Sequence, residues 1–253
     1  MEKFLTELVK NAKEIFFQEH RSLHRKSPND ILSEADLALN EYFVKAIKKK
    51  YPDAKIIAEE SENESLSDDL TFIIDPLDGT CNYANKIPLC GMQLAVLQDK
   101  EAILSIIYLP FFDELYVAKK GEGAYLNGKR LQVNKDVKHG DGVLLISDYY
   151  FENKDMPYDK QYELTKKLKL EFLKTRLFGA ACVDYTFLAT GKAVAYICYY
   201  HNIWDVAPGL LLVKEAGMLT STIKGHPYKY EEHSLVVGNN QETLNLLIKT
   251  ANK

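Results

Sequence analysis

The stretch Thr71-Phe72-Ile73-Ile74-Asp75-Pro76-Leu77-Asp78-Gly79-Thr80 constrains the fold more than any other part of the chain. A short apolar run bounded by turn-forming residues reads as a strand buried on both faces, and such strands lie in sheets covered by helices. Pro76 has no N–H to give to a ladder and Gly79 admits a tight turn, so the spacing predicts that the strand ends here. Asp75 and Asp78 then face one point, with the Leu77 carbonyl between them. Gly79 and Thr80 open a helical turn whose unpaired N–H groups attract an anion. Taken alone, the segment also reads as a plain strand-to-turn junction, where Asp, Pro and Gly are common.

Around this strand the apolar period switches repeatedly. Phe4, Leu5, Leu8, Val9, Ala12, Ile15 and Phe16 recur at helical spacing, and a second helix, opened by a capping-box pair Ser33 and Asp36, runs on toward Pro52. Residues 55–58 form another buried strand that stops at Glu59-Glu60, so neighbouring strand ends would bring acids into one crevice. Residues 91–98, 102–109 and 114–119 predict an antiparallel meander. Strands near 143–147, 172–177, 193–199 and 234–237 then alternate with helices over 158–169, 182–190, 205–216 and from 240. This order predicts an α/β fold of layered helices and sheets. Residues 1–253 read as a single unit, with a first lobe to about residue 140 that carries the acidic motifs and a second lobe beyond it.

Composition narrows the function. With 32 basic and 36 acidic residues the formal net charge is −4, which disfavours nucleic acid as the main partner. No apolar run is long enough to span a bilayer and no export signal follows Met1, so a cytoplasmic location without a membrane partner is expected. Cys81, Cys90, Cys182 and Cys198 lack zinc or Cys-x-x-Cys spacing and read as reduced thiols.

The third acidic block is Trp204-Asp205-Val206-Ala207-Pro208-Gly209, where Asp205 is expected at a helix start, Pro208 in the first turn and Gly217 at the stop. Alone, Asp205 reads equally as a helix cap. Together, Asp75, Asp78 and the Leu77 carbonyl offer the oxygen-only donors that a hard divalent cation such as magnesium requires.

Ala58-Glu59-Glu60-Ser61, the run Asp75 to Thr80 continued by Cys81-Asn82-Tyr83, and Trp204-Asp205-Val206-Ala207 resemble, in order, the signature blocks of the inositol monophosphatase family. Residues 121–128 and Gly179-Ala180-Ala181 are similar to further segments of that family, so the resemblance covers most of the chain. It implies an αβαβα sandwich and magnesium-dependent hydrolysis of a small phosphomonoester by water, without a covalent intermediate. Residue by residue, it implies that Glu59, Asp75 and the Leu77 carbonyl hold one magnesium ion, while Asp75, Asp78 and Asp205 hold a second. Thr80 with Glu59 would act on the attacking water, and the Gly79 and Thr80 amides would hold the phosphate. Gly179, Ala180, Ala181 and Cys198 would line the substrate. Lys26, Asp30, Ser33 and Asp36 are similar to the segment that closes over the metals. Asp36 either supports a third ion through waters or is only the capping-box acid, and Glu60 is an accessory acid beside Glu59. The resemblance also implies a homodimer, with a patch expected on the Tyr-rich second lobe.

One departure bears on the substrate. Inositol-specific members of the family resembled carry an acid about seven positions before the last aspartate, where this chain has Cys198, and no acid occurs between Tyr185 and Trp204. The pocket is therefore expected to discriminate poorly among polyol, sugar and nucleotide-derived monoesters, with fructose bisphosphate, histidinol phosphate and 3′-phosphoadenosine 5′-phosphate as alternatives. A haloacid-dehalogenase-type phosphatase would place two aspartates two apart, whereas Asp75 and Asp78 are three apart. A regulatory or binding protein retaining the fold is the reading from another class.

Overall fold

In the computed structural model, which describes residues 1–18, 23–27, 30–61, 65–149 and 156–252 without the side chains of Lys26, Ser27 and Asp30, the amphipathic start forms two helices rather than one. α1 (Glu2–Asn11) and α2 (Lys13–Phe17) meet at Ala12 and turn Leu5, Leu8, Val9 and Phe16 inward. An antiparallel hairpin of β1 (Leu23–Ser27) and β2 (Asp30–Ser33) leads into α3 (Glu34–Lys50). The expected capping box closes its start: the Asp36 amide donates to Ser33 Oγ at 3.3 Å and the Ser33 amide donates to Asp36 Oδ2 at 2.7 Å. A cap of this kind contributes about 1 kcal/mol.

A seven-stranded sheet follows, in the order β3 (Lys55–Ala58), β4 (Thr71–Asp78), β5 (Gly91–Gln98), β6 (Glu101–Leu109), β7 (Glu114–Lys119), β8 (Gly123–Leu126) and β9 (Lys129–Leu131). β3 and β4 are parallel, and from β4 onward the sheet is an antiparallel meander. Contrary to the sequence expectation, β4 does not stop at Pro76 but runs buried to Asp78. Asp75 pairs with Gln93 and Asp78 with Gly91, with a register shift between, and β3 has already ended opposite Ile74. Pro76 thus sits in a bulge where no ladder N–H is needed. A short helix, α4 (Thr80–Ala84), begins directly after Gly79.

The second sheet has five strands in the order β11-β10-β12-β14-β13, formed by β10 (Val143–Ile146), β11 (Lys174–Arg176), β12 (Ala195–Cys198), β13 (Leu219–Ser221) and β14 (Leu235–Gly238). β10 is parallel to β11 and β12, while β14 is antiparallel to β12 and β13. Its helices are α5 (Tyr158–Leu168), α6 (Ala181–Ala189), α7 (Ile203–Glu215) and α8 (Gln241–Ala251).

Three apolar clusters define five layers. Residues of α1 and α3 pack on one face of the seven-stranded sheet. On its other face Ile73, Ala95 and Ile107 share a core with α6, α7 and the inner face of the second sheet. α5 and α8 cover that sheet's outer face. The architecture is an αβαβα sandwich, and the continuous apolar run Val206 to Val213, buried throughout, makes α7 the middle layer. α7 begins two residues before the position expected: Asn202 is its N-cap and Asp205 lies at the third helical position of a capping box. Pro208 is consequently in the second turn, not the first. Gly217 follows the helix with φ +97°, the left-handed geometry of a glycine stop.

Candidate active site

The fold collects the three acidic blocks at one place. β3 and β4 run side by side with Ala58 opposite Ile74, and the Glu59 amide donates to the Ile74 carbonyl at 3.1 Å, so Glu59 and Asp75 leave neighbouring strands together. Asp75 is 1% exposed. Its carboxyl is pushed well above the usual carboxylate range, first by burial and then by the charges of Glu59, Asp78 and Asp205. Gln93 Nε2 donates to Asp75 Oδ2 at 3.1 Å, whereas Asp75 Oδ1 is buried with no hydrogen-bond partner.

Asp78 is held from the opposite layer. Burial raises its pKa, and the amides of Cys182 and Ala181, at the start of α6, oppose that rise. The Cys182 amide donates to Asp78 Oδ2, which also accepts from Gln93 Nε2 at 3.4 Å. Asp205 Oδ2 accepts from the Asn202 amide at 2.8 Å. Gln93 Nε2 thus bridges Asp75 and Asp78, although among the described residues no three acidic, thiol or imidazole side chains already converge on a single metal-sized point.

The donor set still fits a hard cation. Every group is an oxygen, and one buried carboxylate oxygen beside three further acids has no protein partner to satisfy it. Asp36 and Thr80 flank this centre: Thr80 Oγ1 donates to Asp36 Oδ1 at 2.8 Å, with the Leu77 carbonyl also in reach at 3.1 Å. Asn40 Nδ2 donates to the Glu60 carbonyl at 3.1 Å, tying the acidic strand end to α3. The side chain of Lys26 lies outside the described residues.

Glycine geometry joins the motifs that are far apart in sequence. Gly79 has φ +85°, and a Cβ there would stand 2.9 Å from Ala180 Cβ and 3.0 Å from the Leu89 carbonyl oxygen. Only glycine lets the Thr80 turn approach Gly179-Ala180-Ala181 this closely. Asn82, in α4, donates through Nδ2 to the carbonyls of Leu89 and Phe178, both at 2.7 Å, and pins the same approach. Cys198, by contrast, is 3% exposed, its Sγ lies 3.3 Å from the Tyr200 carbonyl oxygen, and burial pushes its thiol pKa up to about 12.

Sequence reasoning did not single out Gln93, and it met Asn82 only inside the resembling run Cys81-Asn82-Tyr83. Gln93 had a signal, since a lone amide inside the apolar strand Met92 to Leu97 must find a buried partner. The role of Asn82 had no local signal, because its partners at Leu89 and Phe178 are brought to it only by the fold.

A cavity of about 310 Å³ opens beside the Asp205 turn, lined by Ile57, His201, Trp204, Tyr230 and His233 among others. Burial lowers the His201 pKa to about 4, with its Nε2 3.1 Å from the Tyr228 hydroxyl. A histidine depressed below its unfolded value of about 6.5 gives stability that is complete above that pH and is lost as pH falls toward about 4. Chemical denaturation is therefore expected to register about 2 kcal/mol lost through His201 between pH 7 and pH 5. A His201→Gln protein should show a correspondingly shallower pH dependence. Equal slopes for the two proteins would refute the assignment.

A layered α/β sandwich with an acidic crevice at the ends of β3 and β4 is the framework of a phosphomonoester hydrolase. The model described as the inositol monophosphatase family matches residues 1–253, and the chain belongs to that family. A fructose-1,6-bisphosphatase/inositol-1-monophosphatase of Aquifex aeolicus is 32% identical over 235 residues, 92% of this chain and 86% of that one. The Nus factor SuhB of Escherichia coli is 33% identical over 217 residues, 85% of this chain and 80% of that one. Among solved structures, the suhB protein of Bartonella henselae superposes with a TM-score of 0.90 at 25% identity, covering 100% of this chain and 98% of that one. An inositol monophosphatase from Anabaena gives 0.85 at 26% identity, covering 98% and 93%.

Proposed function

We propose that this chain hydrolyses a small soluble phosphomonoester with magnesium held by Glu59, Asp75, the Leu77 carbonyl, Asp78 and Asp205. The observation that carries this reading is the buried, unpartnered Asp75 Oδ1, set among the charges of Glu59, Asp78 and Asp205. Asp75, the most central of these acids, would contribute to holding the metal most directly, whereas Asp36, hydrogen-bonded to Ser33 and Thr80, would act only through water. When bound, magnesium supplies the positive charge that polarises the phosphoryl group, activates water and offsets charge on the leaving oxygen.

The protein's own groups do the orienting. Thr80 gives its hydroxyl proton to Asp36, so its lone pairs face outward as acceptors for a water that attacks phosphorus in line. Glu59 takes that water's proton. The Gly79 and Thr80 amides hold the non-bridging phosphate oxygens, and Gly179, Ala180 and Ala181 form the wall beside the leaving group. No residue needs to become phosphorylated.

Inositol monophosphate is not expected to stand out among substrates, because Cys198 is buried and offers only a weak donor and acceptor. The Aquifex relative, named for both fructose bisphosphate and inositol monophosphate, supports a broad monoester site. Phosphate release measured over a panel of inositol, fructose, histidinol and phosphoadenosine phosphates, with magnesium and with chelator, tests the reading. Metal-dependent release on several esters is expected. No release from any of them would favour the regulatory role suggested by the SuhB relative.

The reduced thiols Cys81, Cys90, Cys182 and Cys198 support a cytoplasmic location, and no described helix is long and apolar enough to cross a membrane. A homodimer is supported by the second sheet's edge strand β11, flanked by Leu170, Leu173 and Leu177 at 85%, 59% and 45% exposure. Light scattering at working concentration should report twice the chain mass.

A further inference from the structure

An acid stands beside the Gly179 and Asn82 wall of this site, but not on the strand where sequence reasoning looked for one. β10 lies beside β12 in parallel register, with Ile146 opposite Ile197, and the Ser147 amide donates to the Ile197 carbonyl at 3.0 Å. The chain therefore leaves β10 at the same sheet end where β12 delivers Cys198. One residue beyond Ser147 it presents Asp148, which is open to solvent as a residue while partial enclosure of its carboxyl raises that group's pKa. Ligands of α/β sheets collect at the carboxyl ends of parallel strands.

Gly179 shows where Asp148 stands. A Cβ on Gly179 would lie 3.8 Å from Asp148 Oδ2, 3.8 Å from Asn82 Nδ2 and 4.0 Å from Asn82 Oδ1. Asp148, Asn82 and Gly179 thus share one small space, and Ala180, the next residue, packs on the Gly79 turn. Both Asn82 N–H groups are spent on the Leu89 and Phe178 carbonyls, so this wall is rigid and Asn82 Oδ1 remains as an acceptor. The Asp148 charge is felt by both Asp78 and Asp184. Asp184 is 2% exposed and keeps Oδ1 without a partner, so the region behind the wall is polar as well. Among the described residues, none donates a hydrogen bond or forms an ion pair to the Asp148 carboxylate.

We propose that Asp148, together with Asn82 Oδ1, reads hydroxyl groups on the substrate's leaving group, making this a phosphatase for polyol or sugar monoesters over aryl monoesters. The inference rests on the phosphatase reading above and adds the residue that sets its substrate class. A carboxylate just beyond β10 approaches the leaving group from a different direction than one at the end of β12, so it selects hydroxylated leaving groups as a class without singling out inositol. Its acceptors take hydrogen bonds from the leaving group's hydroxyls and are left unmatched when the leaving group is a bare ring.

The test is kcat/KM for glycerol 2-phosphate, fructose 1,6-bisphosphate and inositol 1-phosphate against phenyl phosphate, in the wild type, Asp148→Ala and Asp148→Asn. In Asp148→Ala the ratio of polyol to phenyl kcat/KM should fall roughly tenfold, mostly through KM, as one charge-assisted hydrogen bond implies. Asp148→Asn, which keeps an acceptor, should recover part of it. An unchanged ratio in both variants, or equal losses on both ester classes, overturns the assignment while leaving the phosphatase reading intact. A wild type inactive on every ester overturns both.

Discussion

Replacing Asp75 by Asn is expected to lower metal-dependent turnover roughly a thousandfold while raising the melting temperature of the metal-free protein. The two effects share one cause. Asp75 is buried, and its ionised form is opposed by desolvation and by the charges of Glu59, Asp78 and Asp205. A carboxyl whose folded pKa is raised stabilises the fold at low pH and loses that contribution as pH rises from the usual carboxylate range toward the folded value. Near neutrality the wild type therefore folds against an ionisation that Asn cannot undergo. Thermal unfolding in chelator at pH 5 and pH 7.5 should show the larger gain for Asp75→Asn at the higher pH. Trp204, the chain's single tryptophan and the neighbour of Asp205, gives a readout independent of activity. Its fluorescence should respond to added magnesium in the wild type and much less in the variant. A folded Asp75→Asn protein with near-normal turnover would sink the ligand assignment.

Much of this centre was legible in the sequence because the decisive signals are local. An apolar run that stops at acids, repeated at Glu59 and at Asp75, needs only strand periodicity to be read, and parallel pairing of Ala58 with Ile74 brings the two ends together. The Ser33 and Asp36 capping box is likewise a short-range pattern, recovered with both of its hydrogen bonds. The passage of β4 through Pro76 was not legible. A proline forbids a ladder bond only where a partner strand asks for one, and β3 ends too early to ask. Pro208 was misplaced for a similar reason: Asn202, rather than Asp205, caps α7, and that shifts the first turn. The Cys182 amide on Asp78, the Gln93 amide shared by two aspartates and Asp148 across Gly179 are all tertiary contacts. No periodicity reports them.

Gly209→Ala is expected to destabilise the protein by a net of about 2 kcal/mol and to disturb the site, although the change adds only a methyl group. A Cβ at Gly209 would lie 1.9 Å from Tyr185 Cδ2 and 2.0 Å from Cγ, far inside any contact that a few tenths of an ångström could relieve. Tyr185 cannot swing away: it is 1% exposed, and its ring meets Tyr196 edge-on at 5.5 Å between centroids. α6 and α7 would have to separate, and overpacking of this kind costs about 3 kcal/mol, against about 1 kcal/mol that Ala returns in helix propensity. Because Gly209 lies one turn beyond Asp205 on the same helix, pushing α7 away also displaces a proposed ligand. The Cys182 amide that holds Asp78 comes from α6, so two of the carboxylates would move apart at once. Denaturant unfolding of Gly209→Ala, Tyr185→Ala and the double variant separates this account from a mere helix effect. If the ring contact is the reason for glycine, Gly209→Ala should be nearly harmless in the Tyr185→Ala background, with a coupling energy above about 1 kcal/mol. Additive losses would mean that Gly209 serves something other than the close approach of α6 to α7.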